Sequence, residues 1–136
     1  MAFVAGDITE ITYNHPQLGS GRLLPKAGED STFDPGGFKS ADDAQIVTAS
    51  WQMIDQLSNS RWSLEATIAW DMNDTEELAK LQALAASPVQ ADWTISHANL
   101  TVYAGKGKPV GDLQGNANAG TIALKLSGGG QLKKIA

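Results

Sequence analysis

The chain has 136 residues, no cysteine, and fifteen acidic against ten basic residues, which gives a formal charge of −5. This length suits a single domain over residues 1–136 with a core of its own, and the lack of cysteine excludes disulfides and thiolate metal ligands. The acidic balance disfavours a surface that grips nucleic acid, because such a surface needs clustered lysine and arginine. The sequence shows neither the pattern of a secretory signal nor the roughly 18 apolar residues of a membrane span, so we predict no membrane insertion by this chain.

Short strand-like segments dominate, beginning with a run rich in β-branched residues at 8–13. Residues 14–45 differ, because glycine and proline recur through them and mark turns. We therefore predict a long loop or arm over 14–45, with room for a short strand at Leu23 and Leu24. Irregular segments of this length in compact domains are usually binding loops.

The clearest strand signal lies further along the chain. Apolar residues at every second position from Trp62 to Met72 share one face, and polar residues share the other. A weaker alternation runs through Val47 and Met53, and Asn59-Ser60 supplies a turn between the two segments. Together they predict a long hairpin over 46–72.

One helix is predicted over 74–87, with Asn73 or Asp74 as its N-cap and Ser87-Pro88 as its end. Strand patterns resume at 91–96, 99–104 and 119–126, and a Gly/Lys/Pro stretch at 105–109 interrupts them. The count is six or seven strands and one helix, so the fold class is mainly β.

Residues able to do chemistry are sparse. The only histidines are His15 and His97, and neither lies in a metal-binding or catalytic spacing. The acidic group at 71–74 lacks the loop glycine and distal glutamate of an EF-hand, and the glycine-rich stretch 105–111 lacks the phosphate-loop pattern GxxxxGK[ST]. We predict no catalytic residue, no metal and no cofactor, and hence no enzyme.

Four stretches together carry a resemblance. They are residues 24–37, 43–70, 99–116, and 124–130 with 133–135. The most specific part is GKGKPVGDLQGN followed by GGG and the terminal KKIA. The chain resembles the small tail tube proteins of bacteriophages, especially those with contractile tails, over most of residues 15–136.

This resemblance implies a β-sandwich or barrel-like subunit with one flanking helix. Six copies would form a ring whose inner wall is a continuous β-barrel, and stacked rings would form a hollow tube through which DNA passes. The partners would be further copies of the chain, with sheath, baseplate and tail terminator proteins. The chain would be made in the host bacterial cytoplasm and reside in the virion tail. Two alternatives stay open, a spike-tube protein of a contractile injection or secretion system and a monomeric β-sandwich binding module.

Apolar residues in the predicted arm need a partner surface, since an isolated loop buries them poorly. The candidates for contacts between rings are Leu23, Leu24, Phe33 and Phe38. The alternative is an arm that folds back onto its own domain.

Polar faces of the predicted hairpin are candidates for the channel wall. They comprise Thr48, Ser50, Gln52, Glu65, Thr67 and Asp71. Hydroxyl, amide and carboxylate groups would let DNA slide, whereas a basic wall would bind it. Alternatively this face looks outward and the negative charge only aids solubility.

Overall fold

A computed structural model describes residues 3–41, 45–71 and 77–136. Strands make up 52% of the chain and helix 8%, which confirms the mainly β fold class with a large antiparallel sheet and one helix. The strands are β1 (Ile8–His15), β2 (Gly19–Leu23), β3 (Thr32–Asp34), β4 (Gly37–Ser40), β5 (Ile46–Val47), β6 (Met53–Ile54), β7 (Leu57–Ser60), β8 (Trp62–Ala69), β9 (Ala91–His97), β10 (Val102–Pro109), β11 (Gln114–Asn116), β12 (Thr121–Gly128) and β13 (Lys133–Lys134), and the helix is α1 (Glu77–Ala86).

Nine strands form one antiparallel sheet that curls around the core. Its order is β2-β1-β9-β10-β12-β8-β3, with β13 added to β10 and β11 added to β12. β10 changes partner along its length, because residues 102–107 pair with β9 and residues 108–109 pair with β12. The sheet therefore turns a corner at the glycine-rich part of β10.

A second corner closes the sheet into a barrel. β2 pairs with β1, and the chain immediately after it runs beside β8. There Pro25 bridges to Ile68, Lys26 N donates to Thr67 O, and Leu24 O accepts from Ala69 N. One extended segment thus links β2, at one end of the strand order, to β8 near the other end, so the fold is barrel-like.

The core follows from alternation along these strands. In β8 the residues Trp62, Leu64, Ala66 and Ile68 are buried, as the period-2 pattern predicts. The helix contributes Leu81 and Leu84 to the same core. At the core's centre the indole nitrogens of Trp62 and Trp93 donate to the carbonyl oxygens of Lys106 and Gly107, each at 2.8 Å.

The stretch 105–109 is the second half of β10, not an interruption between strands. A Cβ on Gly107 would collide with the ring of Trp62 and with the carbonyl of Ser127, and one on Gly128 would collide with Lys106 O. These glycines allow two backbones and an indole to approach closely at the corner of the barrel.

The predicted loop over 14–45 is wrong. It contains the end of β1 and all of β2, β3 and β4, which are short strands with partners far away in sequence or across a turn. A strand such as β2, with the sequence GSGRL, carries little propensity, and pairs because the edge of β1 offers it backbone partners. Thirteen strands occur within the described ranges, since two- to four-residue strands are too short to show a period.

The predicted hairpin over 46–72 is also wrong. β8 pairs with β12 and β3, whereas β5, β6 and β7 belong to a separate ribbon with β4. Alternation predicts which side of a strand is buried, but it does not identify the neighbouring strand. The helix ends at Ala86, one residue before the predicted end, and its predicted cap, Asn73 or Asp74, lies outside the described residues.

Candidate functional site

Residues 37–41 and 45–60 belong to a two-stranded ribbon that leaves the barrel between β3 and β8, and we call this ribbon the arm. At its base β4 pairs with β7, from Gly37 opposite Ser60 to Ser40 opposite Leu57. Further out, in the outer arm (residues 46–54), β5 pairs with β6, with Ile46 opposite Ile54 and Val47 opposite Met53. Every residue from 49 to 59 is exposed, so the outer arm receives no cover there from the described part of its own chain.

The arm carries seven of the fourteen exposed large apolar side chains of the described residues. They are Phe38 (72% exposed), Ile46 (57%), Val47 (62%), Trp51 (90%), Met53 (63%), Ile54 (55%) and Leu57 (55%). Contiguous apolar surface of this kind on a protein marks a place where another molecule binds. An isolated two-stranded ribbon is marginally stable in water, and cover from a partner would stabilise it.

Both faces of the outer arm are apolar. Residues opposite each other in a ribbon share a face and neighbours along a strand point to opposite faces. Ile46 and Ile54 therefore lie on one face, and Val47 and Met53 lie on the other. A molecule that covered all four side chains would therefore contact the arm from two sides.

The tip of the arm is a turn held by Thr48. Its backbone N–H donates to Gln52 O at 2.7 Å, its carbonyl accepts from Trp51 N at 3.0 Å, and its hydroxyl accepts from Gln52 N at 3.0 Å. Trp51 has φ of 71°, in the left-handed region that costs a bulky residue about 1–3 kcal/mol. The turn thus presents an indole to solvent in a strained conformation.

The base of the arm is tied to the barrel by polar contacts. Asp34, which ends β3, accepts from the backbone N–H of Gly36 at 2.9 Å and forms an ion pair with Lys39 of β4. The hydrogen bond from Lys39, followed by that from Gly36, lowers the pKa of Asp34 below its ordinary value. On the other side Pro35 O accepts from Leu132 N at 2.8 Å, and Leu132 is itself buried.

The four predicted inter-ring residues separate into three groups by exposure. Leu23 is 2% exposed in the core of the barrel, so the prediction that it contacts a neighbouring ring is wrong. Phe33 is half-buried, with its ring centroid 5.1 Å from those of His97 and Tyr103. Leu24 and Phe38 are exposed, and Phe38 lies at the base of the arm. Leu23 is buried because β2 belongs to the barrel and not to a free loop.

The six predicted channel residues do not share one face. Thr48, Ser50 and Gln52 form the turn at the arm's tip, which corrects their placement on a strand beside β8. Glu65 and Thr67 do lie on the outer face of β8, and Asp71 follows that strand and is exposed. Glu65 is paired with Lys125 of β12 at 2.8 Å.

The outer face of β8 and β12 carries a shallow groove lined by both polar and apolar groups. This groove of about 510 Å³ runs between Thr32 on one rim and Gln114 on the other. Its floor is made of short side chains, among them Thr67 and Ala123. β3 and β11 border this face, and each pairs with only one strand among the described residues, so both edges of this four-stranded layer are open.

His15 has a structural role in the barrel. It is 2% exposed, and its Nδ1 accepts from the backbone N–H groups of Gln17 and Leu18, both at 3.0 Å. Its Nε2 lies 3.0 Å from Val89 O and donates to it, because Nδ1 is occupied as an acceptor. His15 thereby fastens the β1–β2 turn to the segment after α1.

The remaining candidates for chemistry are dispersed. Among residues 3–41, 45–71 and 77–136 no group of three or more histidine, aspartate or glutamate residues could hold a metal ion. Lys108 of the glycine-rich stretch donates to Ser87 O at 2.9 Å, at the end of the helix, where a cation suits the helix dipole. No helix in the described ranges is long and apolar enough to cross a membrane.

No protein-family model matches the sequence, and a comparison with curated proteins finds no match.

Sequence reasoning named Phe38 at the base of the arm but missed the apolar residues of the outer arm, because it assigned them to a strand with one buried face. A usable signal was present, since Ile46-Val47 and Met53-Ile54 are adjacent apolar pairs. Such pairs put one apolar group on each face of a ribbon, whereas a strand with one wet face alternates. The stretch 46–54 also has no charged residue, in a chain that carries −5.

Proposed function

We propose that this protein is a structural subunit that assembles with copies of itself into stacked rings, forming a hollow tube of the phage tail tube type. The observation that carries the proposal is the outer arm, an uncharged ribbon with apolar side chains on both faces that the described residues leave exposed. The resemblance in sequence and the barrel-like fold with one helix agree with it. A partner with the same sequence is the simplest source of the missing cover, as most oligomers are homo-oligomers.

The open edges of the barrel support lateral assembly. β3 and β11 bound the four-stranded layer β3-β8-β12-β11, and both are short strands of three residues. An open edge presents unpaired backbone groups that can continue a sheet into another chain. Six copies joined edge to edge would give the continuous inner wall that the resemblance implies.

In this arrangement the outer face of β8 and β12 is the channel wall. Glu65 and Thr67 remain candidates for contact with passing DNA, and Asp71 lies near the end of the same strand. Thr48, Ser50 and Gln52 belong to the arm and are not part of this wall. Lys125 neutralises Glu65 locally, so the wall repels DNA weakly and within about 8 Å at physiological salt.

Trp51 also suits a second candidate function. An indole 90% exposed in an ordered turn could stack on a sugar ring, which would make the chain a monomeric binding module. A glycan-binding screen separates the two: saturable binding by a monomer that Trp51→Ala abolishes favours the module. A spike-tube protein would share the assembly proposed above, and only its location in a virion or a secretion apparatus distinguishes it.

The direct test is electron microscopy of the purified chain, together with a variant in which Asn-Gly replaces residues 41–56. Asn-Gly forms a two-residue hairpin turn, so β4 and β7 should still pair. We expect rings or tubes from the parent and a folded monomer from the shortened variant. Tubes of normal appearance from the shortened variant, or a parent that stays monomeric at all concentrations, would contradict the proposal.

A point-substitution pair provides a matched control. Val47→Ser with Met53→Ser removes the apolar character of one face of the arm. Leu18→Ser with Val89→Ser makes the same chemical change at exposed positions outside the arm. Assembly should fail in the first variant and persist in the second, with both keeping the parent's thermal unfolding transition.

The channel assignment is tested by DNA ejection from particles carrying Glu65→Lys with Asp71→Lys. The control is Glu65→Lys with Lys125→Glu, which preserves the ion pair and the net charge. We expect slower, more salt-dependent ejection from the first variant alone. Normal ejection at every salt concentration would show that these residues do not govern the channel.

A further inference from the structure

A second surface with exposed apolar side chains lies at one end of the barrel, and we call it the end patch. It comprises Phe3 (94% exposed), Val4 (67%), Leu100 (83%) and Ile135 (62%). Three separate segments meet there. Ala98 N donates to Asp7 O, and Ile135 N donates to Val102 O, so both the N-terminal segment and the C-terminal segment flank the β9–β10 turn.

The end patch includes a groove, and Val4 is the patch residue that lines it. This groove of about 270 Å³ is lined by residues 4–6 on one side and by residues 97–99 on the other. Its lining includes Val4, Ala5 and Ala98, and Leu100 lies directly beside it in the sequence. Small and apolar groups on both sides, with His97 and Asn99 among them, leave room in the groove for a large amphipathic side chain such as an indole.

The arm tip and the end patch share a backbone feature. Trp51 and Leu100 are the only non-glycine residues with positive φ in residues 3–41, 45–71 and 77–136, at 71° and 69°. Both are large, apolar and highly exposed, although turns normally place glycine or asparagine in this conformation. Strain at such positions is characteristic of residues that serve in binding.

The apolar side chains of both surfaces lie in segments without charge, apart from Ile135, which follows Lys133 and Lys134. Residues 46–54 of the arm contain no charged side chain, and neither do residues 3–6 nor 98–101. Copies that each carry −5 meet with least repulsion where both surfaces are uncharged. The buried centres of protein interfaces are likewise depleted of charge and enriched in tryptophan.

We propose that the arm tip of one copy docks on the end patch of the next copy, with Trp51 entering the groove beside Leu100. Each chain then offers its arm tip to one neighbour and its end patch to another. The contact is heterologous, so it repeats from copy to copy and does not close into a symmetric dimer. This proposal rests on the proposed function, and it specifies the surface of the neighbouring copy that receives the arm.

The test uses the absence of cysteine from the chain. Gln52→Cys places a thiol next to Trp51 and gives the arm variant, and Val4→Cys places one in the end patch and gives the patch variant. Leu18→Cys gives the control variant, at a turn outside both surfaces. Each variant is prepared separately, and pairs are mixed, allowed to assemble and treated with a short bifunctional maleimide. The mixture of arm and patch variants should give a cross-linked dimer in high yield, and the mixture of arm and control variants should not.

Size analysis of the same samples separates the two proposals. Assemblies without the arm-to-patch product would overturn the docking site and leave self-assembly standing. A dominant product joining two arm variants would also overturn it, since that product means that arms pair with each other. Monomers without any cross-link would overturn both proposals.

A second readout is the assembly threshold, which is the lowest protein concentration at which a variant assembles. It is measured for Trp51→Ala, Leu100→Ala and the double variant. If the two residues touch across the contact, each single change should raise the threshold concentration at least tenfold. The double change should then raise it by clearly less than the product of the two single effects. Multiplicative effects would place the two residues in separate contacts and refute the pairing.

Discussion

Tryptophan occupies both the centre of the barrel and the tip of the arm, in opposite environments. Trp62 and Trp93 are fully buried, and each indole N–H donates to a carbonyl of β10. Trp51 is 90% exposed on a strained backbone. The barrel therefore buries its own large indoles and pairs their N–H groups, whereas the described residues leave the apolar groups of the arm exposed.

The difference separates two sources of stability. Burial of apolar surface holds the barrel together without a partner. The arm is ordered by a turn, a few hydrogen bonds and an ion pair at its base, none of which covers its apolar faces. Substitutions in the barrel should change the free energy of unfolding, and substitutions in the arm should change assembly.

The largest effect is expected from a matched pair of tryptophan substitutions. Trp62→Ala should lower the free energy of unfolding by about 3–5 kcal/mol, because it leaves a cavity and an unpaired carbonyl in the core. Trp51→Ala should change it by less than about 0.5 kcal/mol, as surface substitutions usually do. Urea denaturation of monomeric samples measures both, and equal losses would contradict the separation of barrel from arm.

The next effect compares two residues that hold turns. His15→Ala removes the acceptor for two backbone N–H groups and the donor to Val89 O in a buried site, so we expect a loss of about 2 kcal/mol. Thr48→Ala removes one side-chain acceptor at the half-exposed tip and should cost under about 1 kcal/mol. Thermal unfolding should shift for His15→Ala alone, whereas the assembly threshold should shift for Thr48→Ala.

A smaller effect tests the strain at Leu100. Leu100→Gly should raise the free energy of unfolding by up to about 1 kcal/mol, since glycine adopts the left-handed conformation freely. It should also weaken assembly, because the side chain is lost. Leu100→Ala keeps the strain and loses the side chain, so it should weaken assembly without stabilising the fold. Destabilisation by Leu100→Gly would contradict the argument from strain.

The smallest effect is a pH dependence at the arm's base. The pKa of Asp34 is lowered in the folded chain, so the carboxylate stabilises the base fully above its ordinary pKa of 3.8. This contribution should be lost as the pH falls through the lower, folded value, and unchanged between about pH 5 and 8. The amide shift of Gly36 followed by NMR reports the transition, and Asp34→Asn should abolish it.

Much of the barrel could be predicted from the sequence because its signals are local. A few neighbouring residues are enough to predict the alternation from Trp62 to Ile68 and the helix with Leu81 and Leu84. The scarcity of side chains able to catalyse a reaction or bind a metal can likewise be read from the sequence. A strand with one apolar face must bury that face, whatever its neighbours are. These features are independent of the order in which the strands pair.

Only the tertiary structure decided which segments became arm and which became barrel. Leu23 lies in a glycine-rich stretch yet is in the core, because the segment after β2 closes the barrel against β8. Val47 and Met53 alternate with polar residues yet are exposed, because β8 is already paired on both sides. Which distant strands pair depends on which sheet edges still have free backbone hydrogen-bonding groups. A local pattern of apolar residues therefore does not predict the pairing.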